Sequence, residues 1–293
     1  MANRHFGTVR QRASGRWQGL YFHDGRVHSA GTFRRKADAL ARLAEIEVEL
    51  RRGNWTDPRA GRIQLGDYAD RWLSRRPDLA VRSRELYVFL LSKYIVPEIG
   101  QCPLNALTPS VVRDWHAALA ARLPSTAAKC YRLLSTITKA AVADGVIASS
   151  PCRIVGASVE HPAERPMATL EDVARLSEGM PEHLRIVVTL ATWCQLRRGE
   201  ILGLRRMDVD SDGAFLHIEQ SRTFLRDGSS LVKAPKTRAG RRGIAVPTSV
   251  MKELVHHLAQ FVPADGASFV VVDRNGKPVT AAMLQRAWSR SRR

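Results

Sequence analysis

The spacing of apolar residues changes twice along the 293-residue chain, and this change restricts the possible folds more than any other feature of the sequence. Short strand-like runs broken by glycine, then one helix-spaced segment, fill the first part of the chain. Residues 64–155 are spaced for helices throughout, 156–165 lack periodicity as an exposed linker does, and the part from Pro166 mixes helices with strands. A chain of this length also exceeds the usual size of one compact domain. We therefore predict three domains, at 1–60, 61–160 and 161–293.

The first segment predicts a small three-stranded sheet with one packed helix. Two strand-like runs flank Asp24-Gly25, a pair typical of a tight hairpin turn. A helix is predicted over about 36–52, with Gly53 as its C-cap and Pro58 preventing its resumption. The aromatic residues expected in the core of the small sheet are Trp17, Tyr21 and Phe22.

The rest of the chain predicts a mainly helical α+β protein. The second segment should form a bundle of four helices, near 65–75, 83–95, 110–122 and 124–142. The third segment should be a partial mixed α/β domain that begins at a capping box, Thr169 to Asp172. Its predicted helices lie near 186–196, 199–204, 250–261 and 281–293, and its two predicted strands near 214–220 and 243–246.

The charge of the chain points to a polyanionic partner. Lys and Arg number 46 against 28 Asp and Glu, which gives a formal net charge of +18. Basic proteins of this kind usually bind nucleic acid, because each neutralised phosphate releases condensed counterions. A basic bias of the source proteome or a solvated basic surface is the alternative.

Composition excludes several other classes of protein. A 44 % apolar content is too high for a long disordered chain, and no apolar run could span a membrane. The four cysteines are far apart, so we expect no disulfide, no zinc knuckle and no metal site. The polar start of the chain does not resemble a secretory signal, which predicts a cytosolic protein.

Residues 190–210 carry the strongest functional signal. Arg197 follows a predicted buried helix, and Glu200 comes one turn later. A guanidinium held there could donate to both non-bridging oxygens of a phosphodiester, whose charge grows in a transition state. The alternative is an arginine at a helix end that binds a carbonyl group or the helix dipole.

The same stretch resembles the first arginine box of the tyrosine recombinases, in which a Gly-Leu-Arg-x-x-Glu core precedes Leu-x-x and an Asp-x-Asp ending. The Leu-Arg core, Glu200 and Asp208 fit this box, whereas Gln195 stands where the family usually has glycine. The resemblance implies that Arg197 is catalytic and that Glu200 supports it by orienting a guanidinium or a backbone amide.

Residues 233–247 resemble the β-hairpin of the same family, with its Pro-Lys-Thr-x-x-Gly/Ser-x-Arg pattern before an apolar strand. The resemblance implies that Lys236 protonates the departing 5′ hydroxyl as a general acid. The alternative is a solvated basic turn. The hairpin residues expected to contact DNA are Arg238, Arg241 and Arg242.

The first two segments resemble the DNA-binding domains that precede this catalytic domain in phage integrases. Gly7-Thr-Val-Arg10 and Gly15-Arg-Trp17 are similar to their arm-site domain, and residues 94–100 to their core-binding domain. For each basic residue an ordinary solvated charge is the alternative. The residues expected to read arm DNA from the sheet face are Arg10, Arg12, Arg16 and Arg26, and those expected to hold core-site phosphates are Arg84, Lys129 and Arg132.

Two parts of the family's active site have no match in the sequence. The tyrosines stand at 21, 68, 87, 94 and 131, and no His-x-x-Arg box follows the hairpin. The resemblance therefore predicts a truncated integrase that binds double-stranded DNA, and forms homo-oligomers on it, without a phosphotyrosyl intermediate. A non-catalytic DNA-binding regulator at attachment sites, or a chain whose third domain does not fold stably, are the alternatives. The family's reaction needs no metal or nucleotide, so no cofactor is expected.

Overall fold

The computed structural model describes residues 6–52, 55, 57, 59–160, 164, 166–234 and 240–292. The chain divides into two compact units, Met1–Ala163 and Glu164–Arg293. Both are mainly helical with small antiparallel sheets, which confirms the predicted fold class. No helix in the described ranges is long and apolar enough to cross a membrane.

The first unit begins with a three-stranded antiparallel sheet and a helix. The strands are β1 (Thr8–Gln11), β2 (Trp17–His23) and β3 (Arg26–Phe33), paired in chain order, and the helix is α1 (Lys36–Arg51). Asp24 and Gly25 both have positive φ angles, of 49° and 73°, as a two-residue hairpin turn of the predicted kind requires. Gly53 and Pro58, the predicted helix stop, lie outside the described residues.

The two faces of this sheet differ. Tyr21 is buried against Leu43 and Ile46 of α1. Because neighbouring side chains of a strand point to opposite faces, Phe22 lies on the open face opposite Val27, with 67 % of its surface exposed. The prediction that Phe22 belongs to the core is therefore wrong. Trp17 is half-buried, with the Lys36 ammonium 5.5 Å from the centre of its ring.

A helical bundle completes the first unit. Its helices are α2 (Leu65–Ser74), α3 (Val81–Leu90), a π-helical turn (Leu91–Ile95), α4 (Val96–Ile99), α5 (Pro109–Arg122) and α6 (Pro124–Ala143), with short 3-10 turns at Ala60–Arg62 and Leu104–Ala106. The bundle has its own hydrophobic core, separate from that of the sheet. Two polar contacts tie its helices together. The Tyr68 hydroxyl donates to Asp144 at 2.6 Å, and Trp115 Nε1 donates to the carbonyl of Tyr94 at 3.1 Å.

In the described part of the second unit, five helices and two small sheets pack around one hydrophobic core. The helices are α7 (Leu170–Glu178), α8 (Glu182–Trp193), α9 (Arg198–Gly203), α10 (Thr248–Phe261) and α11 (Ala281–Ser291). The strands are β4 (Val209–Asp210), β5 (Phe215–Ile218), β6 (Ser221–Phe224), β7 (Ser230–Lys233) and β8 (Arg242–Ala245). The capping box at the start of α7 is present: Thr169 Oγ1 accepts from the amide of Asp172, and the Asp172 carboxylate accepts from the amide of Thr169.

The two sheets of the second unit differ from the sequence prediction. One has the order β4-β5-β8, and its β5 and β8 are the two strands that the sequence predicts. The other is the hairpin β6-β7, which lies between the two predicted strands, where the sequence analysis predicted no strand. Its strands Ser-Arg-Thr-Phe and Ser-Leu-Val-Lys hold few apolar residues, so the pattern from which strands are recognised was too weak to reveal them.

Candidate active site

A sharp turn between α8 and α9 presents Arg197. The helix α8 is buried along most of its length and ends at Trp193. Gln195 then adopts a φ of 51°, in the left-handed region that residues other than glycine rarely occupy. Leu196 returns to the core, so Arg197, the extended residue just before α9, projects outward with 78 % of its side chain exposed.

Glu200 holds the backbone of this turn in place. Its carboxylate is only 6 % exposed and lies in the first turn of α9. Oε2 accepts from the amide of Arg197 at 3.0 Å, which satisfies a donor that the start of the helix leaves unpaired. Oε1 accepts from Arg197 Nη1, also at 3.0 Å. The support that Glu200 was expected to give therefore reaches both the backbone and the guanidinium of Arg197.

A second arginine shares the same carboxylate. Arg242 Nη1 donates to Glu200 Oε1 at 3.0 Å and Arg242 Nη2 to Oε2 at 2.9 Å, a fork on both oxygens. Burial alone would raise the pKa of Glu200, but the hydrogen bonds from Arg242 and Arg197 outweigh it and lower that pKa to about 2. Glu200 is therefore ionised at every physiological pH.

The helix α9 lies directly on β6. A side chain at Gly203 would place its Cβ 3.0 Å from the amide nitrogen of Arg222 and 3.1 Å from the carbonyl oxygen of Gln220. Both of these atoms belong to the backbone and cannot move aside cheaply. Glycine at this position therefore allows the close approach that fixes α9, and with it Glu200.

The last two arginines of the box, Arg205 and Arg206, make contacts that stabilise the fold. The buried carboxylate of Asp208 accepts from the amide, Nε and Nη2 of Arg205 at 2.8–3.0 Å. Arg206 Nη1 donates to the carbonyls of Leu258 and Val262 at 2.9 and 3.1 Å. The sequence reasoning assigned no role to Arg205 and Arg206, and the short spacing between Arg205 and Asp208 was the available signal.

The predicted hairpin residues fall into two groups. Lys236 and Arg238 lie outside the described residues. Arg241 is exposed, with its Nε 3.7 Å from a carboxylate oxygen of Glu219. Arg242 donates from both of its Nη atoms to Glu200 and is 32 % exposed, and its expected contact with DNA stays a prediction.

The basic residues of the small sheet do not share one face. Arg10 lies on the open face, where its Nε and Nη2 donate to Gln18 Oε1 at 3.2 and 3.1 Å. Arg12 and Arg16 lie at the β1–β2 connection, where the amide of Arg12 donates to the carbonyl of Arg16. Arg26 is paired with His23, which lies two positions after Tyr21 on β2 and therefore on the same face of the sheet. Because cross-strand partners share a face, Arg26 lies on the side of the sheet that faces α1. That these four arginines read arm DNA stays a prediction.

Arg84 also turns inward. Its Nη1 donates to the carbonyl of Leu73 at 2.9 Å, and its Nη2 is hydrogen-bonded to the carbonyl of Arg76. These contacts tie α3 to the end of α2 and the residues that follow it. The predicted contact of Arg84 with a core-site phosphate stays a prediction.

Lys129 and Arg132, both on α6, share one carboxylate. Lys129 Nζ lies 3.2 Å from Glu160 Oε2, and Arg132 Nη2 lies 3.3 Å from Glu160 Oε1. Arg132 Nη2 also donates to the carbonyl of Ser158 at 2.7 Å. Both basic side chains remain partly exposed.

Comparisons with known proteins agree with this architecture. The family model described as the N-terminal domain of phage integrases matches residues 5–52. A putative prophage phiRv2 integrase of Mycobacterium tuberculosis is 36 % identical over 268 residues, which cover 88 % of this chain and 70 % of the relative. The integrase of Mycobacterium phage L5 is 32 % identical over 271 residues, which cover 88 % and 72 %.

Solved structures resemble the same fold at low sequence identity. A Tn1549 transposon integrase in complex with a circular intermediate DNA aligns with a TM-score of 0.68 at 18 % identity, over 78 % of this chain and 77 % of that one. A lambda integrase tetramer bound to a Holliday junction aligns with a TM-score of 0.61 at 17 % identity, over 100 % and 82 %.

Proposed function

The chain belongs to the phage integrase family of tyrosine recombinases, and we propose on this premise that it acts in site-specific recombination by binding double-stranded DNA at arm and core sequences of attachment sites. The observation that carries the proposal is the cluster of Arg197, Glu200 and Arg242, which aims one exposed guanidinium outward from a rigid base. The same proposal places the protein in the cytoplasm, where phage and host DNA meet.

Arg197 is the proposed ligand of the scissile phosphate. One of its Nη atoms is held by Glu200, and its other guanidinium N–H groups have no hydrogen-bond partner among the described residues. Such a fork matches the two non-bridging oxygens of a phosphodiester and stabilises the charge that develops on them. Lys236 is the proposed general acid, on the family pattern of residues 233–247.

Residues 1–60 and 61–160 are proposed as the arm-site and core-binding domains, ahead of a catalytic domain at 161–293. The family model that matches residues 5–52 supports the first assignment. Arg10, Arg12 and Arg16 remain exposed and available to arm DNA, and Lys129 and Arg132 to core phosphates. Because a lambda integrase forms dimers and tetramers on its DNA, we extend the proposal to a homo-oligomer assembled on the site.

The proposal is tested by selecting duplexes from a random-sequence library with the 293-residue chain and measuring their affinity. Affinity should fall by a factor of about a thousand between roughly 50 and 200 mM salt if six or more phosphates are neutralised. Arg197→Ala should lower the affinity for a selected core duplex roughly tenfold, as expected for the loss of one charged hydrogen-bonding group. Arg185→Ala removes an exposed arginine nearer the start of α8 and is the matched control. Failure to enrich any sequence would overturn the proposal.

A non-catalytic role at attachment sites is the second candidate, and the hydrogen-bonded, buried hydroxyls of Tyr68 and Tyr131 favour it within the first unit. Tyr68 donates to Asp144 and Tyr131 accepts from the amide of Ile154, and burial raises the pKa of both hydroxyls. A nicked suicide duplex separates the candidates, because a covalent adduct stable to denaturation would exclude the non-catalytic one.

A further inference from the structure

The carboxylate of Glu200 is shared by two arginines from distant parts of the chain. Arg197 stands just before α9 and Arg242 begins β8, so the two are 45 positions apart in sequence. Arg242 is 32 % exposed and Arg197 is 78 % exposed, so the first points inward and the second outward. The contact joins α9, which carries Glu200, to the strand β8.

The hydrogen bonds to Glu200 fill its acceptor capacity. Each carboxylate oxygen can accept about two hydrogen bonds. Oε1 accepts from the Nη1 atoms of Arg197 and Arg242, and Oε2 from the amide of Arg197 and from Arg242 Nη2. Because Arg242 takes one position on each oxygen, only one position remains for the guanidinium of Arg197. That guanidinium is thereby anchored at one corner and cannot fork onto the carboxylate.

We propose that Arg242 is a positioning residue for Arg197, whose fork on Glu200 keeps the Arg197 guanidinium directed outward and available to a DNA phosphate. This inference rests on the proposed phosphate contact of Arg197. Without Arg242, one acceptor position is open on each oxygen of Glu200, and a bidentate arginine–carboxylate pair is the favoured geometry. Arg197 would then close onto Glu200 and withdraw from the phosphate.

The charge of the cluster leads to the same conclusion. Glu200 with both arginines carries a net charge of +1, whereas Glu200 with Arg197 alone is neutral. An anionic phosphate is attracted to the first arrangement and not to the second, and attraction inside a partly desolvated site is stronger than in water. Arg242 therefore supplies the charge that Glu200 would otherwise cancel, without touching the phosphate itself.

The test measures how strongly one phosphate contributes to binding. In a core-type duplex recovered by selection, each backbone phosphate is replaced in turn by an uncharged methylphosphonate, and the affinity of the 293-residue chain is measured. In the unaltered chain, one replacement should cost roughly tenfold in affinity, and Arg197→Ala should remove that cost.

Three variants then separate positioning from stability. Arg242→Gln should reduce the cost at that phosphate to about twofold, and Arg242→Lys, which keeps the charge with a single point of attachment, should give an intermediate cost. Arg185→Gln makes the same change at an exposed arginine of α8 that has no assigned DNA contact and should leave the cost near tenfold. If the role of Arg242 were purely structural, Arg242→Gln would weaken binding to all duplexes alike. The loss of affinity caused by the one methylphosphonate would then stay near tenfold. If Arg242→Gln does not fold, the comparison of Arg242→Lys with Arg185→Gln decides.

The outcomes distinguish this inference from the proposed function. If no phosphate in the unaltered chain shows a cost that depends on Arg197, the proposed contact of Arg197 is wrong. If that cost exists and persists in full in Arg242→Gln and Arg242→Lys, the contact stands and the positioning role is overturned.

Discussion

Removing the charge of Glu200 should destabilise the second unit. In Glu200→Gln the amide group keeps the shape of the side chain, but its NH2 faces arginine donors where an acceptor stood. Breaking a buried ion pair by loss of one partner costs about 3–5 kcal/mol. The lower end applies here, since Arg197 is largely exposed and Arg242 partly so, and water can solvate both.

The pKa of Glu200 gives an independent magnitude. Its value falls from an ordinary 4.5 to about 2 in the folded chain. At about 1.4 kcal/mol for each pH unit, the ionised carboxylate contributes roughly 3 kcal/mol at neutral pH. Because the folded-state pKa is depressed, this contribution is fully present above about pH 4.5 and is lost as the pH falls towards 2. For a unit of this size it corresponds to a lowering of the melting temperature by roughly 10 °C.

The assay is thermal and denaturant unfolding of the full chain and of Glu200→Gln across a pH series. The difference between the two should be about 3 kcal/mol at pH 7 and should shrink steadily below pH 4.5. Glu219→Gln is the matched control, because the Glu219 carboxylate is exposed and lies 3.7 Å from Arg241, so its loss should cost less than about 1 kcal/mol. The reasoning is refuted if Glu200→Gln is as stable as the unaltered chain, or if the difference does not depend on pH.

Three further changes give expected outcomes. Gln195→Gly should raise the free energy of unfolding by about 0.5–1 kcal/mol in denaturant titrations, since glycine adopts the φ of 51° at this exposed position without backbone strain. A loss of stability would show that Gln195 is not strained. Gly203→Ala should lower that free energy by about 1–3 kcal/mol because the new Cβ would press on backbone atoms 3.0–3.1 Å away, and an unchanged melting temperature would speak against close packing of α9 on β6. Glu160→Gln should strengthen DNA binding about two- to fivefold in fluorescence anisotropy, because it releases Lys129 and Arg132 from an exposed pair; equal affinities would show that neither residue meets DNA there.

The sequence predicted the helical parts of the fold well for a physical reason. In residues 64–155 the apolar positions repeat at the helical period over long stretches, and the capping and proline signals agree with them. The observed helices α2, α5 and α6 begin and end within one residue of the predicted bounds. In contrast, β6 and β7 hold few apolar residues, so their pairing was set by packing on α9 that no local pattern reveals.

The candidate site was predictable in part. The position of Arg197 and the support from Glu200 followed from the spacing of the arginine box and its resemblance to a known family. The inward turns of Arg84 and Arg242 could not be predicted, since the partner of a long charged side chain is fixed by residues brought near in the fold. The exposure of Phe22 could have been predicted from the sequence, because neighbouring residues of one strand cannot both face the same core.

The most direct test of the central claim is an experimental structure of the 293-residue chain bound to a selected core duplex. The account predicts that the Arg197 guanidinium lies within about 2.7–3.2 Å of the non-bridging oxygens of one phosphate, while Arg242 remains forked on Glu200. An Arg197 that points to solvent, or that is folded back onto Glu200 with DNA bound, would contradict it.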